Sequence, residues 1–276
     1  MQQIDWKNMK SINEEVKKKS LLLVIDAQKD FTEVGAPLFV SGAPQALENL
    51  SGWIRINTDS LDEIMLSQDD HYTTQIGMPH AWNDEKGHIL DGFTKVSAAE
   101  VKAGKYKPVY LDLAYVTKYL ETIEAKGAEH TIWPEHCIHG TPGQQFPDVL
   151  IDALTFWGEK KGRHYETWCK GATDEAEMYS VFSYANEDKP TGVGKHRLDR
   201  IAEGNYDIIY LAGFAKDICV AESVKDLLAD GRFGGKLVFL DFGMATLISG
   251  SPNLAVYDEA ATKHGAKTLT DWRGRV

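Results

Sequence analysis

The sequence predicts an α/β fold: a doubly wound, Rossmann-like parallel sheet with helices on both faces. Three observations predict it. Short, continuously apolar runs recur along the chain, as buried strands of a parallel sheet do. Segments of helical periodicity separate them, the alternation that wraps helices over both faces of a sheet. Polar, chemistry-bearing residues stand where the apolar runs end, and ligands of such sheets bind beyond the carboxyl ends of the strands.

The first run is Leu21-Leu22-Leu23-Val24-Ile25, ending at Asp26. The second is Ile64-Met65-Leu66, before Asp69, and the third is His130-Thr131-Ile132-Trp133, before Pro134. The fourth, Ile208-Ile209-Tyr210-Leu211-Ala212, ends at Gly213, and the fifth, Leu237-Val238-Phe239-Leu240, ends at Asp241. Between them, 43–56 places Leu47, Leu50 and Ile54 on one helical face, and 115–126 does the same with Val116, Leu120 and Ile123. The stretches 218–230 and 253–264 read as helices that stop at Gly231 and Gly265. The long stretch 72–107, rich in Gly, Asp, His and Lys, reads as an insertion on one domain spanning 1–276, with 1–19 as an N-terminal extension.

Bulk properties narrow the class. A chain of 276 residues with 43% hydrophobic and 26% charged residues buries an adequate core without disulfides. A formal charge of −11 excludes a nucleic-acid binder of the usual basic kind. Three widely spaced cysteines, Cys137, Cys169 and Cys219, do not form a disulfide framework and suit a reducing compartment. The first twenty residues lack the apolar stretch of a secretory signal, and no apolar run is long enough to cross a bilayer. The expectation is a cytoplasmic protein with a small-molecule substrate and no nucleic-acid or membrane partner.

Four constellations carry chemistry. Asp26 closes a buried strand, where desolvation raises a carboxyl group toward the range of a general base. The bland alternative is a carboxylate capping the next helix. In Gly213-Phe214-Ala215-Lys216-Asp217-Ile218-Cys219, a cysteine at the first turn of a helix would have its thiol acidified by the helix dipole. Backbone N–H groups of that turn could bind an oxyanion. A small buried apolar cysteine is the commoner fate. Asp69, His71 and His136 supply a carboxylate and two imidazoles after two successive runs, enough for a metal with open positions. Cys137 is the alternative ligand, and two polar surface loops are the simpler reading. Lys170 follows the aromatic stretch 165–168 and would favour the charged forms of Asp26 and Cys219 if it met them, although most lysines are merely solvated.

The runs LLLVIDAQKDF, SQDDH, WPEHCIHGTPG, KGATDEAEMYSVF and GFAKDICVAESVKDLL together resemble, in the same order, the motifs of the isochorismatase-like cysteine hydrolases, nicotinamidase branch. The match spans about residues 20–270 on five separate segments. The resemblance implies Asp26 as general base, Lys170 as triad lysine and Cys219 as nucleophile. It implies Asp69, His71 and His136 as ligands of one divalent metal ion, zinc. Phe31, Trp133 and Phe214 then line the substrate pocket. The Phe214–Ala215 peptide takes the place of a non-proline cis bond, with the N–H groups of Ala215 and Cys219 as the oxyanion site. The expected activity is hydrolysis of a small carboxamide, nicotinamide first, in a homo-oligomer. Asp70 stands where many relatives have an aromatic residue and Ile218 where tyrosine is common, and the span from His71 to His136 is long; these departures bear on the substrate.

Three alternatives remain at this stage. One is a hydrolase of another amide or ureido compound, or an isochorismate-type ether hydrolase, the last disfavoured by the metal motif. Another is a non-catalytic binding member of the same family, disfavoured by the complete Asp26, Lys170 and Cys219 set. The third is a nucleotide-binding protein using Gly192-Val193-Gly194-Lys195, which lacks the flanking residues of a phosphate loop.

Overall fold

The computed structural model describes residues 18–274 and 276. Most of the expected N-terminal extension, 1–17, lies outside the described residues. The strands in chain order are β1 (Ser20–Ile25), β2 (Glu63–Asp69), β3 (Trp82–Asp84), β4 (Lys95–Val96), β5 (Tyr106–Pro108), β6 (His130–Thr131), β7 (Glu166–Lys170), β8 (Ile208–Gly213), β9 (Leu237–Met244) and β10 (Lys267–Leu269). The α-helices are α1 (Lys29–Thr32), α2 (Ala43–Ile56), α3 (Ala98–Lys102), α4 (Leu113–Ala125), α5 (Asp148–Lys161), α6 (Gly192–Glu203), α7 (Ala221–Asp230) and α8 (Ala255–His264).

Six strands form one parallel sheet in the order β10-β9-β8-β1-β2-β7. The central strand β1 is buried along its whole length. Its side chains alternate between faces, as strand geometry requires. Leu22 and Val24 pack into a core with Leu47, Leu50, Trp53 and Ile54 of α2 and Leu150, Leu154 and Trp157 of α5. Leu21, Leu23 and Ile25 pack into the opposite core with Leu198 and Ile201 of α6, Val224 and Leu227 of α7, and Val256 and Ala260 of α8. The sheet is thus covered on both faces, as expected.

One expected sheet strand is elsewhere. Of 130–133, only His130 and Thr131 form a strand, and β6 pairs antiparallel with β4 outside the main sheet. The place beside β2 is taken by β7, whose five residues bury only Trp168 and Lys170, and an edge strand of that kind shows no continuous apolar run. The N–H groups of Ile132 and Trp133 go instead to the carbonyls of Thr94 and Gly77. Helix α5 was legible as a period of Leu150, Ala153, Leu154 and Trp157, and was not among the expected elements.

Residues of the 72–107 stretch join α4 and β6 in a third core. Ile76, Trp82, Val96 and Val101 pack there with Val116, Tyr119, Leu120 and Ile132. His130 sits in its centre, between the rings of Trp82 and Tyr119, with Nε2 3.0 Å from the Ile76 carbonyl. Its Nδ1 has no partner. Burial pulls its pKa down to about 4, only partly opposed by the Ile76 hydrogen bond. The folded state therefore binds fewer protons than the unfolded state between about pH 6.5 and 4. Stability is present above that window and falls as pH drops through it, by up to about 3 kcal/mol. His130→Gln, which keeps a donor for Ile76, should reduce the slope of thermal stability against pH there by about one proton. An unchanged slope would show that His130 is not the titrating group.

Candidate active site

The carboxyl ends of β1, β2, β7 and β8 lie together; β2 and β7 lie to one side of β1, and β8, β9 and β10 to the other, so β1 and β8 flank the switch point where such folds bind ligands. Asp26 follows β1 with a positive φ of 46°. Aspartate tolerates this left-handed conformation better than most residues. Ser67 of β2 holds it from both sides: the Asp26 N–H donates to Ser67 Oγ at 3.1 Å, and that hydroxyl donates to Asp26 Oδ1 at 2.6 Å. Across from it, Gly213 has φ 127°, and a Cβ there would lie 2.0 Å from the Ile25 carbonyl oxygen. Glycine is what allows β8 to approach β1 at this point.

Lys170, the last residue of β7, is 2% exposed. Its Nζ lies 2.9 Å from Asp26 Oδ2, 3.0 Å from Asp69 Oδ1, 3.0 Å from the Met178 carbonyl and 3.8 Å from Cys219 Sγ. Burial opposes its charge, yet the carboxylates of Asp26 and Asp69 hold its pKa well above the usual lysine value. Burial raises the Asp26 carboxyl, with Lys170 pulling it back and Asp69 pushing it further up. Burial also pushes the Cys219 thiol well up, against the pull of Lys170, and a hydrogen bond with Asp26 adds to the rise.

That last result corrects an expectation. Cys219 does not stand in the first turn of an α-helix; residues Lys216–Val220 form a π-helical turn, and α7 starts after it. Such turns recur at functional sites. With Cys219 at 7% exposure, desolvation outweighs the pull of Lys170 and pushes the thiol up. The Phe214–Ala215 peptide is cis, as the resemblance implied. Ala215 and Cys219 both border the cavity.

Asp69, His71 and His136 present ligand atoms within 4.8 Å of one another. The Nε2 atoms of His71 and His136 face the Asp69 carboxylate at 3.1 and 3.7 Å. Their Nδ1 atoms are engaged from behind: His71 with Gln75 Oε1 at 2.6 Å, His136 with the Pro134 carbonyl at 2.7 Å. Gln75 in turn donates to the Gly171 carbonyl at 2.6 Å. Outer partners of this kind fix the tautomer and leave Nε2 free to ligate. Two imidazoles and one carboxylate thus fit a divalent metal ion with open positions. Burial disfavours a charged His71, but the adjacent Asp69 carboxylate prevails and raises its pKa to about 9. For Asp69, the cost of burial is overcome by His71 and Lys170, and its pKa falls well below the ordinary value. Gly171, at φ 80°, is needed here, because a Cβ would lie 2.9 Å from Asp69 Oδ1 and 3.0 Å from His71 Cε1. Cys137 is not part of the group; its thiol is buried, with Sγ 4.0 Å from the Gly143 carbonyl.

Lys170 and Cys219 border one cavity together with the metal candidates Asp69, His71 and His136, while Asp26 lies fully buried behind its lining. Phe31, Leu38, Val40, Trp133, Ile218 and Leu247 line it with apolar surface. Phe31 stands edge-on to His136 at 5.4 Å between ring centroids. Phe214, expected among these, does not line it; its ring is fully buried in the core beneath α2.

Six lining residues were not anticipated: Leu38, Val40 and Leu247, and Glu177, Met178 and Tyr179 from the segment 171–191, which has no helix or strand. Burial raises the Glu177 carboxyl. Gly77 makes room for it, since a Cβ there would fall 1.4 Å from Glu177 Oε1. The only sequence signal was position, seven residues after Lys170 within a motif already singled out.

No family model matches the chain. Among curated proteins it is similar to the nicotinamidase of Acinetobacter baylyi, 26% identical over 230 residues, 83% of each chain. It is also similar to the nicotinamidase of Schizosaccharomyces pombe, 27% identical over 205 residues, 73% of each chain. Solved structures share the fold. The Acinetobacter baumannii nicotinamidase/pyrazinamidase superposes with a TM-score of 0.61 at 20% identity, over 92% of this chain and 97% of that one. The Leishmania infantum protein PnC1, in complex with nicotinate, gives 0.58 at 18% identity, over 93% and 95%. The Pyrococcus horikoshii pyrazinamidase, in complex with zinc, gives 0.54 at 18% identity, over 91% and 99%.

Proposed function

We propose that this chain, a relative of the nicotinamidases within the isochorismatase-like hydrolases, is a cysteine amidohydrolase that converts nicotinamide to nicotinate and ammonia. One observation carries the reading: Lys170 Nζ lies within 3.8 Å of both a buried carboxylate, Asp26, and a buried thiol, Cys219, at the polar end of an apolar cavity. The names of the sequence relatives supply the substrate.

In this mechanism Asp26 takes the thiol proton of Cys219, and Lys170 stabilises the anions that result. The thiolate attacks the carboxamide carbon. The N–H groups of Ala215 and Cys219 receive the oxyanion, an effect worth about 3 kcal/mol per donor. Asp26 returns its proton to the departing nitrogen, which leaves as ammonia, and a thioester remains on Cys219. Asp26 then deprotonates a water molecule that attacks the thioester carbonyl. Nicotinate leaves and the Cys219 thiol is restored. Burial raises the Asp26 carboxyl, which makes it a stronger base than an exposed aspartate. Phe31 and Trp133 hold the flat ring, with Ile218 and Leu247 closing the remaining wall.

Asp69, His71 and His136 would hold one divalent metal ion, zinc in this reading, and the ion would supply a Lewis-acidic anchor for the substrate ring. The chain is read as one hydrolase domain with 72–107 as an insertion, acting as a homo-oligomer. Among the described residues no helix is long and apolar enough to cross a membrane.

Metal analysis combined with ammonia release tests the reading. Purified protein should carry about one divalent ion per chain and release ammonia from nicotinamide and pyrazinamide. Chelation should abolish activity and zinc should restore it. Hydrolysis of other amides with none of nicotinamide would replace the substrate assignment.

A further inference from the structure

The cavity wall formed by Glu177, Met178 and Tyr179 belongs to a segment that has no regular structure of its own, so something outside it must hold it in place. Two carbonyl contacts stand out. Arg197 of α6 donates through one terminal nitrogen to the Val181 carbonyl at 2.8 Å and through the other to the Cys169 carbonyl at 2.5 Å. Cys169 immediately precedes Lys170, and Val181 lies two residues past Tyr179. The N–H of Val181 donates to Ser223 Oγ at 3.1 Å, and that hydroxyl donates to the Cys219 carbonyl at 2.7 Å. Val181 is therefore the junction at which the lysine strand, the pocket wall and the nucleophile turn are tied together.

Arg197 is 6% exposed, and among the described residues it has no ion-pair partner. Its guanidinium lies 5.8 Å from the Trp168 ring. Burial works against its charge, and a methionine would cover Trp168 without that penalty. What only a guanidinium supplies is a rigid fork of N–H donors that spans two carbonyls on separate segments. A second observation on the same helix agrees. A Cβ on Gly194 would lie 1.5 Å from the Phe182 carbonyl oxygen, so α6 presses directly against the backbone of the wall segment. That close approach explains Gly194 without any phosphate.

We propose that Arg197 is a positioning residue: it clamps the β7 end that bears Lys170 to the segment that bears Glu177, Met178 and Tyr179, and so sets the Lys170 ammonium against Met178, Asp26 and Cys219. The proposal rests on the reading of Cys219 as the reactive thiol. It does not depend on which amide is the substrate.

The test uses the full-length protein and two variants. Arg197→Met removes fork and charge; Arg197→Lys keeps charge and loses the fork. The rate of Cys219 alkylation by iodoacetamide is followed across pH by site-resolved mass spectrometry, which separates it from the exposed Cys169. Both variants should alkylate Cys219 roughly 10- to 100-fold more slowly at neutral pH, the range a misplacement of about 1 Å produces, with the rate–pH curve displaced upward. Ammonia release from nicotinamide should fall by a similar factor. A folded Arg197→Lys protein with the wild-type curve overturns the proposal, whatever its melting temperature. Should Arg197→Met fail to fold, the lysine variant alone decides. Slow alkylation in the variants of a protein that never hydrolyses nicotinamide would support the clamp and reject the substrate assignment.

Discussion

Cys219→Ala should lower ammonia release from nicotinamide by a factor on the order of 10⁴ or more while leaving metal content at the wild-type level. The residue is buried at the cavity wall, with its sulfur 3.8 Å from Lys170 Nζ. Burial pushes its thiol up, and alanine is smaller and uncharged, so the substitution should cost little stability. No other cysteine can replace it. Cys137 is buried against Gly143, and Cys169 is exposed on the far side of β7 from Lys170. Turnover, metal analysis and a melting curve on the same preparation check the outcome. Substantial turnover would remove covalent catalysis from the mechanism.

Lys170→Met should be both inactive and unstable. The ammonium sits between two buried carboxylates, 2.9 Å from Asp26 and 3.0 Å from Asp69. Removing one partner of a buried ionic group costs about 3–5 kcal/mol. For a chain of this size that is a fall in melting temperature on the order of 10 °C. The deficit should depend on pH. Asp26 already has its pKa raised by burial, and without Lys170 the rise grows. A carboxyl raised in the folded state is no burden below its unfolded pKa and becomes one as pH climbs toward its folded value. The variant should therefore approach wild-type stability in acid and diverge from it toward neutrality. Adding Asp26→Asn should recover part of the melting temperature at neutral pH and none of the activity. Equal losses at all pH values would contradict the assigned ion pair.

Much of this site was legible because its residues sit where strands end. Asp26 and Asp69 close or follow apolar runs that any parallel-sheet reading would find, and β1 is apolar along nearly its whole length because both faces are covered. Lys170 was harder. It ends an edge strand whose buried residues alternate, so neither a continuous run nor a charge pattern marked it apart from other lysines. The motif order along the chain singled it out. Glu177, Met178 and Tyr179 carried no periodic signal, since a segment without repeating hydrogen bonds has no repeating side-chain direction either. The run 130–133 misled for the opposite reason: it is apolar because it is buried, but in the third core and not in the main sheet.

By itself, the sequence determined the doubly wound class, the residue types available for nucleophile, base and metal ligands, and their order along the chain. These are local properties, written in apolar periodicity and in which residues end each run. Only the tertiary structure decided the sheet order, with β7 beside β2, and hence which lysine meets Asp26 and Cys219. It also decided the protonation tendency of Cys219, the removal of Phe214 from the cavity and the recruitment of the 171–191 segment to its wall. The physical reason is that desolvation and distance are properties of what surrounds a group in space, and Asp26 and Cys219, 193 positions apart, share one buried environment here.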